Sequence, residues 1–376
     1  MKVVIAVDSF KGSLSSMEAG LAAKAGILAA RPDASVTVKP LADGGEGTTD
    51  ALIEGLGGRR IDVTVTGPMG QPVAACYGYL DGSSTAVIEM AAAAGITLVP
   101  PKERNPLIAS TFGVGEMIQD AAERGCRNFI IGIGGSVTND GGIGMLKALG
   151  FRFLDKDGRD AGEGGRALGK IMSIDTGGRN PLLSECRFQV ACDVTNPLCG
   201  KNGATYIYGP QKGVTEDLLE KLDGDMAHYA AVTAEALGVH YAGVEGAGAA
   251  GGLGFAFLSY LGASLTPGVD LILDAVGLKD VLPGADIVVT GEGRLDAQTA
   301  MGKAPAGVAR MAKRYGIKVI AFAGSVSKEA PACNEAGIDA YFPVIRGITT
   351  LEEAMKPDTA RENMAAAVEQ VFRLLD

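Results

Sequence analysis

Short apolar runs rich in β-branched residues recur along this chain, and most of them break into a glycine-dense polar loop that leads into a segment of helical spacing. Val3–Val7, Val36–Pro40, Phe129–Ile133, Phe188–Cys192, Asp286–Val289, Val319–Ala323 and Tyr341–Val344 have the length and composition of buried strands. Helical spacing marks Met17–Ala30, Thr48–Leu56, Thr111–Arg124, Met145–Leu149, Thr215–Leu237, Phe255–Leu261, Ala306–Tyr315 and a terminal segment from Lys356 onward. Ser15 or Ser16 suits the N-cap of the first helix, and Pro305 fits the first turn of its own. From Arg60 the texture changes. Ile61–Thr66, Val73–Leu80 and Thr85–Met90 alternate or run in β-propensity residues, divided by GPMGQP and DGSS, which predicts antiparallel hairpins.

The strand–loop–helix rhythm predicts an α/β protein, and the switch of texture predicts two domains. One is a flavodoxin- or Rossmann-like parallel-sheet domain built from discontinuous segments, residues 1–60 with 103–145 and 284–376. The other is an inserted, mixed α/β domain of residues 61–102 with 146–283. A length of 376 residues agrees with two cores rather than one.

Composition narrows the classes of function. Fifty-five glycines are about twice the average share, yet they cluster in loops without a collagen-like period. A net charge of −10 argues against non-specific binding of nucleic acid or acidic membrane. Cys76, Cys126, Cys186, Cys192, Cys199 and Cys333 form no C-x-x-C pair, and His228 and His240 are the two histidines, so a Cys/His zinc site is not expected. Reduced thiols in a cytoplasmic protein are the expectation, with no signal peptide ahead of the first strand. Gly246–Val269 is uncharged and long enough to span a bilayer, but its glycines, its proline and its lack of flanking cations argue against a membrane span.

The candidate chemistry lies in the loops. After Phe129–Ile133 come Gly134, Gly135, Ser136, Val137, Thr138, Asn139 and Asp140, a strand-to-helix turn of the kind that receives anions in open α/β sheets. A plain glycine-rich turn is the alternative. Asp8, Ser9 and Lys11 follow the first strand, and Asp43, Gly44, Gly45 and Glu46 follow the second. Glu46 is equally explained as an acid at a helix N-terminus. Asp193 with Asn196, and Gln211 with Lys212, pair a carboxylate with an amide and an amide with a cation, and each is also explicable as a turn. Glu292, Gly293, Arg294, Asp296 and Lys303 place four charges directly behind a buried strand, more than a purely structural loop needs.

Taken in order, DSFKGSLS, ADGGEGT, GIGGSVTNDGG, CDVTNPL, GPQKG, GAAGGLG and TGEGRLDAQTAMGK resemble the bacterial glycerate kinase type I family across essentially the whole chain. Val7 stands where proline is expected and Val137 where alanine is expected, and neither carries chemistry. The resemblance implies two α/β domains flanking a cleft, and ATP-dependent phosphorylation of D-glycerate to 2-phosphoglycerate and ADP. Kinases of other small hydroxy acids and a non-catalytic binder of small anions are the alternatives. A dinucleotide-dependent dehydrogenase is disfavoured because no G-x-G-x-x-G follows the first strand. No G-x-x-x-x-G-K-[ST] loop and no protein-kinase signature set is present either.

Phosphoryl transfer needs backbone donors, cations on the phosphates, carboxylates for Mg²⁺ and a means of placing the hydroxyl. Lys11 is the first choice for the transferring phosphate, and Arg294 for the substrate carboxylate, because a guanidinium grips it with two hydrogen bonds. Asp193 is the candidate general base, with Asp296 and Asp8 next. Asp8, Asp43 and Glu292 are the candidate Mg²⁺ ligands. A homodimer is compatible with these features, and nothing in the chain suggests a nucleic-acid or membrane partner.

Overall fold

The computed structural model describes residues 1–42 and 47–375. It divides into two compact units, and each contains its own sheet.

The first unit comprises Met1–Asp43, Asp50–Gly57 and Val269–Asp376. Its five-stranded sheet runs Ala340–Pro343, Lys318–Val326, Ile287–Leu295, Lys2–Val7, Ser35–Pro40, and every neighbouring pair is parallel. In chain order this is the 2-1-3-4-5 arrangement of flavodoxin-like sheets, whose connections reverse direction between the first and third strands. Val3, Ile5, Val7, Ile287, Val289, Ile320 and Phe322 pack against Ala19, Ala23 and Ile27 of the Ser16–Ala30 helix and Met364, Val368 and Phe372 of the Pro357–Leu374 helix. Those two helices touch closely because Gly26 has no side chain: a Cβ there would overlap the Ala365 carbonyl. The third strand is longer than its apolar run suggests. It continues through Gly291, Glu292, Gly293 and Arg294 to Leu295, pairing with Lys318–Val326 all the way, so these residues belong to a strand and not to a loop. Gly291 makes this possible, because a Cβ would run into the Phe322 carbonyl of the adjacent strand.

The second unit comprises Gly44–Thr49 and Gly58–Gly268. Its six-stranded sheet is ordered Ser264–Thr266, Arg187–Ala191, Asn128–Gly132, Thr85–Glu89, Pro72–Leu80, Arg59–Thr66. The first four strands are mutually parallel and the last two join as antiparallel hairpins. Asn128–Gly132 therefore lies at the centre of this sheet. The expectation that residues 103–145 belong to the first domain is corrected: a fully buried strand reads the same in either parallel sheet, and only its partners decide. Residues 269–283, expected in the second domain, belong instead to the first unit. Phe129 stacks on Phe188 with ring centroids 4.8 Å apart, and the core continues into Phe257 of the Ala249–Leu261 helix. That helix begins six residues earlier than its apolar run and contains a left-handed kink at Ala250, Gly251 and Gly252. Gly251 and Gly252 pack on the backbone at Thr138–Asn139 and at Gly141, where side chains would not fit.

No helix among the described residues is long and apolar enough to cross a membrane.

Candidate functional site

The first unit carries a cleft of about 410 Å³ at the carboxyl ends of its first and third strands. This is where the strand order reverses, the position at which open α/β sheets bind ligands. The Asp8 N–H donates to the Gly291 carbonyl at 2.8 Å, which extends the ladder by one bond before the chain turns away. The turn is compact: Ser13 N donates to the Phe10 carbonyl, Phe10 N to the Leu14 carbonyl, and Gly12 supplies the positive φ of 77°. The helix that follows is fixed by a capping box, in which Glu18 N donates to Ser15 Oγ and Ser15 N to Glu18 Oε2. Ser16 Oγ donates to the Val7 carbonyl and accepts from Leu41 N, both at 2.8 Å, and so ties two adjacent strand ends together.

Around this cleft the structure brings together Asp8, Ser9, Lys11, Glu292, Gly293, Arg294, Asp296 and Lys303, all of the described first-unit residues singled out above. Glu292 is buried, accepts a hydrogen bond from Thr299 Oγ1 at 2.7 Å, and lies 3.8 Å from Lys303 Nζ. Asp296 is the N-cap of a short helix, accepting from Gln298 N and Thr299 N, which gives it a structural role besides its place on the rim. Arg294 is 67% exposed and 3.8 Å from Asp296, so its guanidinium is able to reorient. Asp43, Gly44, Gly45 and Glu46 lie outside the described residues.

The second unit has a smaller pocket, about 280 Å³, at the carboxyl ends of Asn128–Gly132 and Arg187–Ala191. Gly134, Gly135, Ser136, Asp193, Gln211 and Lys212 meet there. Lys212 is only 1% exposed, and its Nζ donates to Ser136 Oγ and to the Thr138 carbonyl, each at 2.7 Å. A one-turn 3₁₀ helix, Pro210–Lys212, presents it, followed by Gly213 at φ 97° where a Cβ would crowd the Arg104 carbonyl. Burial lowers the Lys212 ammonium pKa to about 7, and the nearby Asp140 carboxylate opposes that shift. Asp193 is exposed, and its Oδ1 accepts from Gly268 N at 2.8 Å, which fixes the carboxylate on the pocket wall.

Three of the residues singled out are held away from the pocket. Asp140 is fully buried and accepts from Thr111 N, Thr111 Oγ1, Gly142 N and Gly144 N at 2.8–3.3 Å. Burial raises its pKa, while the Thr111 bonds and then the glycine N–H groups pull it back. It anchors the starts of the Phe112–Glu123 and Ile143–Ala148 helices. Asn139 is fully buried and donates to Thr205 Oγ1. Asn196 does not orient Asp193: its Oδ1 accepts from Tyr208 Oη at 2.6 Å and its Nδ2 donates to the Asn202 carbonyl at 2.7 Å. Short polar side chains in turns bond equally well to backbone or to ligand, so their type and spacing do not separate the two roles.

The comparisons agree along the whole length. Residues 3–376 match the model of the glycerate kinase family. The chain belongs to the glycerate kinase family. It is 50% identical to a glycerate kinase of Bacillus subtilis strain 168, over 95% of this chain and 93% of that protein. It is 47% identical to a glycerate 2-kinase of Escherichia coli K12, over the same shares of each. A provisionally assigned glycerate kinase 2 from Salmonella typhimurium LT2, known from a crystal structure, superposes with a TM-score of 0.91 at 47% identity, covering 100% of this chain and 98% of that one.

For a member of this family, sequence reasoning missed several residues lining the two sites. Ser13 lines the larger cleft with its hydroxyl buried and without a hydrogen-bond partner. Its signal was its place in the DSFKGSLS loop. The apolar wall of Val344, Leu351, Met355 and Met364 had no signal, because it comes from the far end of the chain. Tyr208 and Cys192 line the smaller pocket, and burial raises the pKa of both.

Proposed function

We propose that this chain transfers the γ-phosphoryl group of ATP to D-glycerate, giving 2-phosphoglycerate and ADP. The observation that carries this reading, beside family membership, is the cleft at the strand-order reversal. Three cations, Lys11, Arg294 and Lys303, share it with the carboxylates of Asp8 and Glu292. Phosphoryl transfer is mostly positioning and charge stabilisation, and this set of side chains supplies both. The cleft suits the nucleotide, because Phe10, Leu14, Val344, Leu351, Met355 and Met364 also line it and offer apolar surface for a base.

The donor set also fits Mg²⁺. Among the described residues no group of three or more His, Cys, Asp or Glu side chains forms a metal cage. Magnesium accompanying a nucleotide typically takes one or two carboxylates and completes its shell with phosphate oxygens and water. Asp8 and Glu292 would hold it, and the ion would neutralise charge developing on the phosphates. Lys11 and Lys303 would orient the phosphate chain. Neither cavity is lined by histidine, so Asp193 is the proposed proton acceptor for the substrate hydroxyl.

ADP release coupled to a reporter enzyme, with D-glycerate against L-lactate and glycolate, tests this reading. Turnover with D-glycerate alone is expected, with ³¹P NMR showing phosphate on the 2-oxygen. A product phosphorylated at the 3-oxygen would correct the regiochemistry. Absence of turnover with glycerate would overturn the substrate, and turnover of another hydroxy acid in its place would keep the kinase chemistry.

A further inference from the structure

We propose that the pocket of the second unit is the seat of the hydroxy acid, with the Lys212 ammonium holding the substrate carboxylate and the Asp193 carboxylate accepting a hydrogen bond from a substrate hydroxyl. This rests on the kinase reading above and assigns a ligand to a pocket that this reading leaves open, in place of the expectation that Arg294 grips the carboxylate.

Chemistry and size both favour the assignment. A lysine ammonium has three N–H donors, and two of them are fixed by Ser136 Oγ and the Thr138 carbonyl. The head group is thereby aimed by the protein before any ligand arrives. Its two hydrogen-bond acceptors are neutral, and the nearby Asp140 carboxylate is bonded to Thr111, Gly142 and Gly144 instead, so an anion on the remaining donor supplies a directly bonded countercharge. Exclusion of water strengthens that bond relative to one made on the surface. The pocket, about 280 Å³, carries one cation and one carboxylate on its walls, Lys212 and Asp193, which matches a small ligand with one carboxylate and a neighbouring hydroxyl. A triphosphate would bring several negative charges to that single cation. Arg294 contrasts on each point: it is mostly exposed, lies beside Asp296, and shares its cleft with two further cations.

Thermal denaturation with D-glycerate or ATP–Mg²⁺ added separately tests the proposal, using the full chain and its Lys212→Met variant. Methionine matches the aliphatic stem and removes the charge. The wild-type protein is expected to gain melting temperature with either ligand. Lys212→Met is expected to keep the ATP response and lose the glycerate response, with the glycerate KM rising about 10–100-fold, the range for a lost charge-assisted hydrogen bond. Were Lys212 only a tie between Pro210–Lys212 and the Ser136 loop, both ligand responses would fall together or neither would, and either result overturns the proposal. Ser136→Ala and Asp193→Asn guard against a variant that fails to fold. Each should weaken glycerate binding without affecting ATP, and an unchanged glycerate dissociation constant in both would also overturn it. Discrimination between D-glycerate and its neutral amide should collapse in Lys212→Met, a change that loss of packing alone would not produce. If wild-type protein phosphorylates a different hydroxy acid, the kinase substrate is wrong, and the same comparison run with that acid still decides whether Lys212 reads the carboxylate.

Discussion

The cleft of the first unit and the pocket of the second handle their cations in opposite ways. In the first unit the cations are near solvent: Lys11 is exposed and Arg294 largely so, and their partners are loose, with 3.8 Å separations at Arg294–Asp296 and Lys303–Glu292. In the second unit the cation is sunk in the protein: Lys212 is buried and held by two 2.7 Å hydrogen bonds, while Asp193 on the same pocket wall is exposed. Exposed, loosely paired cations are little desolvated and can follow a flexible polyphosphate as it changes charge. Buried ones are already oriented, so they suit a small rigid anion that must be placed accurately. The difference teaches that the number of charges around a cavity says less about its ligand than their mobility and burial do.

The comparison breaks most visibly at Asp193. If it accepts the proton of the substrate hydroxyl, Asp193→Asn lowers kcat about 10²–10⁴-fold with the fold intact. Near-normal kcat in the folded variant would remove it from the chemistry, leaving Asp296 and Asp8 as the acids to test. Asp140 is the counter-case, an acid in the same unit with a structural task. Asp140→Ala leaves the Thr111, Gly142 and Gly144 N–H groups without their acceptor. We expect a loss of about 3 kcal/mol or more in urea unfolding. A loss below about 1 kcal/mol would show that this carboxylate is not the anchor of its loop.

How far these assignments were legible in the sequence follows from the same contrast. The strands announced themselves through apolar β-branched runs, and the loop at each strand end showed where the chemistry gathers. Sheet membership did not show, as Asn128–Gly132 demonstrates, because pairing partners are remote and a buried strand looks alike on both sides. Nor did the bond from Lys212 to Ser136, which joins residues far apart in the chain. Asn139, Asp140 and Asn196 carried the right chemistry for a ligand but bond within the protein, a choice made by burial and not by residue type. Arg294 does line a cleft, yet its exposure, on which the comparison with Lys212 turns, is a property of packing alone.

A milder effect is expected at Arg294. Arg294→Lys keeps the charge and loses the fork, so the ATP KM should change less than about tenfold and the glycerate KM should stay near its original value. A selective rise in the glycerate KM would return the carboxylate to Arg294 and reverse the comparison.

Glycerate binding should also depend on pH. Burial lowers the Lys212 pKa from its ordinary 10.5 to about 7, so the ammonium is charged below about pH 7 and neutral above it. Glycerate binding needs the charged form, and so the glycerate KM should climb as pH rises through 7, by at most about tenfold per unit. Without ligand the sign for stability is the reverse. The unfolded lysine holds its proton up to about 10.5, so this group makes folding more favourable as pH rises from about 7 to 10.5. The other groups facing it are Asp140, Asp193, Cys192 and Tyr208, and burial keeps the thiol and phenol protonated through neutral pH. A flat KM profile in the wild type, matching that of Lys212→Met, would remove Lys212 from glycerate binding.

The central claim, that the two cavities serve two chemically different substrates, is tested most directly by steady-state kinetics on Lys11→Met and Lys212→Met, with each substrate varied in turn. The account predicts a crossed pattern: Lys11→Met raises the KM for ATP about tenfold and leaves that for glycerate unchanged, while Lys212→Met does the converse. Both variants raising the same KM, or the two effects exchanging places, would contradict it.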